Sequence, residues 1–265
     1  MHVFIFFLLP SFSLAHPKAI TNAIELLVDI GAMKSISNEL TDLGRCLSTL
    51  SLEPCVGKML IWSYILGCAD STSSMAVSMS YKSPFVLPPL SMRSRADRTR
   101  VEMSKGSESD QVTILNLLSI RDGFLGGNGE NGGKLVRGRK GGRSGWREYC
   151  DSTFVNHATI ETIADLRGSA ARELSSLGFP NPSSRGWQSR NGSHHAFLQA
   201  ALVAGLYPNI AARAPGETNF RTVTDRKAKV HVSSVNSCKG QRLGKKCERI
   251  VEFIAYGEII RSVLH

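Results

Sequence analysis

The sequence lacks every string that would give it chemistry of its own. The nearest approach to the phosphate-cradling pattern G-x-x-x-x-G-K-[ST] is Gly133-Lys134, but Asn128 stands at the first glycine and Leu135 at the metal-binding hydroxyl. No G-x-S-x-G elbow accompanies its serines, histidines and aspartates, which excludes the common hydrolase arrangement. Six cysteines are present, none in a C-x-x-C pair and none with histidines at zinc-ligand spacing. A chain of 265 residues needs no disulfide framework, so reduced thiols in the cytoplasm or nucleus are expected. No stretch approaches the ~20 apolar residues of a membrane span.

What is present is positive charge. Net charge is +10 and the pI about 9.5, which favours anionic partners such as nucleic acid or an acidic membrane surface. With 42% hydrophobic residues the chain can bury a core, and its length suits one to three domains.

The first residues allow two readings. Val3 to Leu9 is an unbroken apolar run, and Ser13-Leu14-Ala15 has the small residues of a cleavage site. That is the outline of a signal peptide, but the segment before the run has no Lys or Arg, and Pro10 interrupts it. The alternative is part of a helix from a larger protein.

Helical patterning follows. Residues 18–31 place Ala19, Ala23, Leu26, Leu27 and Ile30 on one stripe, with Gly31 as C-cap. Thr41 can N-cap a short helix. Residues 53–80 form a helical region opened by Pro54 and apolar nearly all round, with a further short helix over 71–80. Two more helices are predicted over 96–104 and 109–124, and helical pattern resumes over 146–177. Between them, residues 125–145 are mostly Gly, Asn, Arg and Lys and read as a flexible insertion. Residues 180–194 read as a Pro/Ser/Gly/Asn-rich linker. A helix over 196–206 is followed by β-like runs over 229–235 and 249–256.

Several strings resemble, in order and spacing, the C-terminal region of DEAH-box (RHA-type) RNA helicases. They are Ala23-Ile24-Glu25-Leu26-Leu27 leading to Ile30-Gly31-Ala32, Leu40 to Arg45, and Pro54 with Gly57-Lys58-Met59-Leu60. Gly67-Cys68, Ser80 to Val86, Ala96-Asp97 with Arg100, and Ser109-Asp110 come next. Ala200-Ala201-Leu202, Ala204 to Asn209, Lys229 to Asn236 and Phe253 to Glu258 complete the series. The resemblance spans about residues 17–260. One departure is Val232, where the family has proline after the histidine of its His-Pro-Ser-Ser-Val-Asn string.

The resemblance implies a mainly α chain with a C-terminal β domain. Its parts are an apolar leader over 1–16, a partial winged helix over 17–50, a helical ratchet-like domain over 51–180, a linker over 181–195 and an OB-fold over 196–265. The OB-fold is expected to end short of its last strands. The implied function is that of an RNA-binding accessory region that guides single-stranded RNA and docks on the ATP-driven motor domains. ATP and Mg belong to those motor domains. This sequence has neither their P-loop nor an Asp-Glu-Ala-His string, so it is expected to carry no cofactor or metal and to turn over no ATP alone. Implied partners are single-stranded or structured RNA, helicase motor domains in cis or in trans, and activating proteins, with no membrane.

Three sets of candidate RNA contacts follow. His231, Ser233, Ser234 and Asn236 lie in the string that the resemblance sets toward the RNA path; serine and asparagine donate to phosphate and histidine stacks. Lys82 and Ser83 are a second set, with helix capping as the alternative role. Arg137, Arg139, Lys140 and Arg143, interleaved with glycine, form a basic arm suited to phosphates of any sequence, or else a solvated linker.

Other motifs read as structure. Gly127-x-Gly129-x-x-Gly132 lacks the strand and helix of a dinucleotide site. Gln241 to Lys246 partly matches the arginine-finger pattern of helicase motors but stands at the wrong end of the chain. His194-His195 has no ligand partners at metal spacing. Two rival functions stay open at this point: a stand-alone RNA-binding or adaptor protein, and a secreted basic protein, for which Asn191-Gly192-Ser193 would be a glycan acceptor.

Overall fold

A computed structural model describes residues 16–126, 142–182, 186–214, 217, 219–224, 226–237 and 252–260. Residues 1–15 of the apolar leader, most of the Gly/Arg-rich insertion, the Gln241–Lys246 string and the start of the 249–256 run lie outside the described residues. The chain divides into two units, Met1–Pro54 and Cys55–His265.

In the first unit, helix α1 spans Pro17–Asp29 and starts with proline, whose missing N–H costs nothing there. It ends in a Schellman motif. Gly31 takes φ +78°, its amide donates to the Val28 carbonyl at 2.9 Å, and the Ala32 amide donates to the Leu27 carbonyl at 2.8 Å. Met33 and Leu40 then form an isolated bridge that closes a turn with Ile36 fully exposed. Helix α2 spans Asp42–Thr49. The Thr41 hydroxyl caps it, accepting from the Gly44 amide at 3.1 Å while donating to the Gly31 carbonyl at 2.8 Å. One threonine therefore fastens the start of α2 to the end of α1; the cap was expected from the sequence, the bond to Gly31 was not.

The second unit opens with α3 (Pro54–Ile65) and α4 (Ala69–Ser80), the helical region and further short helix expected over 53–80. Met59, Leu60 and Tyr64 are buried, yet Trp62 is 41% and Ile65 66% exposed, so α3 is not covered all round. A 3₁₀ turn (Leu90–Met92) leads into α5 (Arg93–Ser104), followed by α6 (Asp110–Leu125). Ser109 caps α6 through the Val112 amide at 3.4 Å.

The region over 146–177 is likewise two helices, α7 (Gly142–Ser152) and α8 (His157–Ser176). They are split at Phe154, which takes φ 59°, and Val155, which bridges to Phe85. The Val86 amide donates to the Phe154 carbonyl at 2.9 Å and the Asn156 amide to the Pro84 carbonyl at 2.8 Å. Long-range pairing overrides helical pattern there.

The helices share a core of Val77, Met103, Leu117, Leu118, Phe124, Trp146, Cys150, Ile160 and Ile163. On its rim, Glu161 accepts from the Arg121 Nε at 3.1 Å and Nη2 at 2.5 Å, and from the Trp146 indole at 3.0 Å. The Arg121 bonds hold the Glu161 carboxyl below its ordinary range, and burial opposes them.

The stretch read as a linker is tied down. Within it a 3₁₀ turn (Trp187–Ser189) precedes Asn191, whose side-chain nitrogen donates to the Leu66 carbonyl at 2.8 Å. The atom a glycan would take is thus already bonded inside the fold. Helix α9 (His195–Leu206) follows and crosses α3 closely. A Cβ at Gly205 would lie 2.3 Å from the Met59 Cβ and 2.8 Å from the Cys55 carbonyl oxygen, so only glycine fits.

Strands β1 (Ile210–Ala212), β2 (Phe220–Thr222), β3 (Lys227–Ala228) and β4 (Phe253–Ala255) form an antiparallel sheet in the order β3-β2-β1-β4. The 229–235 run, predicted as β-like, is not a strand; residues 231–237 are consecutive turns. Among the described residues no helix is long and apolar enough to cross a membrane. Cys46, Cys68 and Cys150 are free thiols.

Candidate nucleic-acid interface

The turn-rich loop after β3 is built by its own polar side chains. The Ser233 amide donates to His231 Nδ1 at 3.3 Å, and the Ser233 hydroxyl lies 2.6 Å from the same nitrogen. Nδ1 is therefore the acceptor and the ring proton sits on Nε2. The His231 ring is exposed. The Ser234 amide donates to the His231 carbonyl and the Ser237 amide to the Ser234 carbonyl, both at 3.0 Å.

This loop rests on the ratchet helices. Asp110, the first residue of α6, accepts from the Ser234 hydroxyl at 2.6 Å and from the Val235 amide at 2.9 Å. The Asn236 amide side chain donates to the Glu108 carbonyl at 2.8 Å. Ser234 and Asn236, both candidates for ligand contact, thus spend these donors on holding the loop. Val235 and Ser237 are buried beneath it.

Arg100 of α5 joins the loop to a second candidate segment. Its Nη1 donates to the Ser233 carbonyl, and its guanidinium lies 4.7 Å from the Phe85 ring centre. The residue is 8% exposed, and its Nε is buried without a hydrogen-bond partner. Burial pulls the guanidinium pKa down, while Asp97 and Asp110 push it back up.

Lys82 and Ser83 stand just before Phe85, both exposed. The Lys82 ammonium lies 5.9 Å from the Tyr81 ring centre, and the Ser83 hydroxyl accepts from the Phe85 amide at 3.4 Å. Ser83 turns onto its own backbone rather than capping α4. The histidine loop and the Lys82–Phe85 segment, some 150 residues apart in the sequence, are thus linked through one buried arginine. Arg143 is exposed in the first turn of α7, whereas Arg137, Arg139 and Lys140 lie outside the described residues.

Sequence reasoning singled out the loop but not its anchors. Ser109-Asp110 has the look of an ordinary helix start, a capping serine followed by an acidic residue. Nothing local shows that the carboxylate also holds a loop from another domain. His194 is the N-cap residue of α9, its ring 6.1 Å from that of Phe197. Among the described residues, no three His, Cys, Asp or Glu side chains are grouped as a metal site.

Comparison with known proteins gives the same succession of parts. Residues 23–52 match the helicase-associated (HA2) winged-helix family, residues 53–114 the ratchet-like helicase-associated (HA2) family, and residues 198–263 an oligonucleotide/oligosaccharide-binding (OB) fold family. The chain is 33% identical over 222 residues to the DExH-box ATP-dependent RNA helicase DExH1 of Arabidopsis thaliana, covering 83% of this chain and 20% of that one. It is 32% identical over 236 residues to the human ATP-dependent RNA helicase DHX29, covering 83% and 16% respectively. With the human ATP-dependent DNA/RNA helicase DHX36 the identity is 29% over 228 residues, covering 83% and 21%. The chain thus spans about a fifth of the length of the curated relatives it matches. The ordered winged-helix, ratchet and OB-fold segments place this chain in the family of DEAH-box RNA helicase C-terminal accessory regions.

Proposed function

We propose that this accessory region guides single-stranded RNA across the joint between its ratchet and OB-fold parts, and packs against helicase motor domains in cis or in trans. The observation that carries the reading is Arg100, which ties the Ser233 carbonyl to the Phe85 ring. Around that joint, His231 offers an exposed ring and an Nε2–H and Lys82 an exposed ammonium, while the Ser233 hydroxyl spends its proton on His231 Nδ1. A ring suits stacking on a base and the donors suit phosphates. Ser234 and Asn236 serve by holding the loop; Ser83 fixes the turn beside Lys82. Arg137, Arg139, Lys140 and Arg143 add phosphate contacts with little sequence preference.

ATP hydrolysis belongs to the motor domains, and this chain alone turns over no nucleotide and holds no cofactor. The exposed apolar side chains Val86, Leu87, Leu90 and Met92 suit packing against another domain. Activating proteins are further partners of the assembled helicase.

Fluorescence anisotropy with a labelled 12-nucleotide oligouridylate tests the RNA reading. His231→Ala with Lys82→Ala is expected to weaken binding about tenfold. Neutralising the four basic-arm residues to Gln is expected to flatten the dependence of affinity on salt. If neither change weakens binding, the reading is wrong.

A further inference from the structure

The segment joining α4 to α5 is fixed in place yet leaves its apolar side chains in water. The Val86 amide donates to the Phe154 carbonyl at 2.9 Å, and the Pro84 carbonyl accepts from the Asn156 amide at 2.8 Å. Beyond those bonds the backbone is set by Pro88, which is buried, and by Pro89, at φ −52° and ψ 155°. So anchored, Val86 is 45%, Leu87 69%, Leu90 78% and Met92 47% exposed. Together they form an apolar ridge of roughly 400 Å², a size at which exposed patches on a protein are often functional.

Cations border the ridge. Arg93, Arg95 and Arg98 are exposed on α5, and among the described residues none of the three has an ion-pair partner. The Arg95 guanidinium lies 5.9 Å from the Phe154 ring centre, which sets it beside the residue whose carbonyl holds Val86. The sequence has no Asp or Glu from 71 to 96. Asp97 acts on the buried Arg100, and Glu102, a turn beyond Arg98, forms no ion pair with it.

We infer that this ridge docks a short segment of a separate protein, one that carries carboxylates interleaved with large apolar side chains. The inference rests on the reading above that a partner covers these four apolar residues, and it names the chemistry of the cover. The exposed apolar area is about half of the ~800 Å² that each side contributes to a stable protein interface, so a peptide-sized occupant fits it. Charge complementarity sets the sign, since three unpaired arginines favour an acidic partner and repel a basic one. A polynucleotide would meet the arginines but find no ring on the ridge to stack its bases. An anionic membrane is bound by an apolar stripe along a helix. Helix α5 instead buries its apolar Ala96 and Met103, and the ridge lies in the loop and turn before it.

The test uses the full chain and three fluorescein-labelled peptides, read by anisotropy. The first is three repeats of Asp-Asp-Leu-Phe, the second three repeats of Asp-Asp-Ser-Ser, and the third three repeats of Ser-Ser-Leu-Phe. The first is expected to bind at least about tenfold more tightly than either of the others. Leu87→Ser with Leu90→Ser changes two exposed side chains and is expected to weaken it about tenfold. Arg93→Gln with Arg95→Gln is expected to weaken it about fivefold and to flatten its dependence on salt. If the acidic polar peptide binds as tightly as the first, the arginines attract any polyanion and the inference is wrong. If the neutral apolar peptide binds as tightly and the serine pair weakens it, the ridge is a packing surface but its acidic cover is wrong. Binding of the first peptide that neither variant weakens lies elsewhere on this basic chain and overturns the inference, as does the absence of binding. Sedimentation with vesicles containing about 30% phosphatidylserine, abolished by the serine pair, would assign the ridge to a membrane instead. The variant His231→Ala with Lys82→Ala is expected to keep its affinity for the first peptide, and both ridge variants their affinity for oligouridylate, so the RNA reading and this one fail separately.

Discussion

Ser234 donates its hydroxyl proton to Asp110 at 2.6 Å across 124 residues of sequence, and the Val235 amide donates to the other oxygen of the same carboxylate at 2.9 Å. One side chain at the start of α6 thus holds a loop of the OB-fold part in shape. Hydrogen bonds to a charged acceptor contribute about 1.5–3 kcal/mol each, less where water competes. Asp110→Ala is expected to lower stability by about 2–3 kcal/mol, read as a shift of the urea midpoint at constant slope. Asp110→Asn keeps one acceptor and is expected to lose less. Equal losses for the two variants would show that the charge and its two bonds are not what matters.

Arg100 reports on the same joint from the other side. Its guanidinium covers Phe85 and reaches the Ser233 carbonyl. Lysine lacks the planar fork that makes both contacts at once. Arg100→Lys is therefore expected to speed amide hydrogen exchange in residues 231–237 at least tenfold while leaving the core of α8 unchanged. Uniform acceleration throughout the second unit would instead mark a general loss of stability.

The sequence carried the local devices well and the long-range ones poorly. The Gly31 helix stop, the Thr41 cap and the helix before β1 were all legible, because each depends on a few neighbouring residues. The 229–235 run misled. Its alternating Val230 and Val232 suggest a strand, but Ser233, Ser234 and Asn236 compete with ladder formation by bonding to local backbone and to Asp110 and Glu108. The break at Phe154 was invisible for a similar reason, since its cause is the pairing of Val155 with Phe85, seventy residues upstream. Of the candidate site, the loop and Lys82 could be named from sequence. Arg100 and Asp110 could not be given their roles, because a buried arginine and a helix-start aspartate show their partners only in three dimensions.

Gly205 sets how closely α9 can approach α3. An alanine methyl there would meet the Met59 Cβ at 2.3 Å, and the Cys55 carbonyl oxygen and the Met59 Cα at 2.8 Å each. None of these is the yielding end of a side chain. Gly205→Ala is expected to cost about 3 kcal/mol, at the upper end of overpacking penalties, despite the better helix propensity of alanine. Met59→Ala leaves the obstructing Cβ in place and is not expected to rescue it. Thermal melts of the single and double variants check both statements; a gain in stability for Gly205→Ala would mean that the helices lie further apart.

The Glu161 carboxylate gives the second unit an acid-sensitive element. Its pKa is held low chiefly by hydrogen bonds from Arg121, so the folded chain binds a proton there less readily than the unfolded chain does. The sign follows: this stabilisation is present above the ordinary glutamate value of about 4.3 and is lost as pH falls below it through the folded value. Glu161 keeps a third of its side-chain surface in water, so after screening the contribution is of order 1 kcal/mol. Glu161→Gln retains an acceptor for the Trp146 indole but removes the charge that binds Arg121. The parent is expected to lose melting temperature more steeply than the Gln variant between about pH 5 and pH 3, the two converging at the acid end. Parallel curves for parent and variant across that window would show that the Arg121–Glu161 pair carries no net pH-dependent stability.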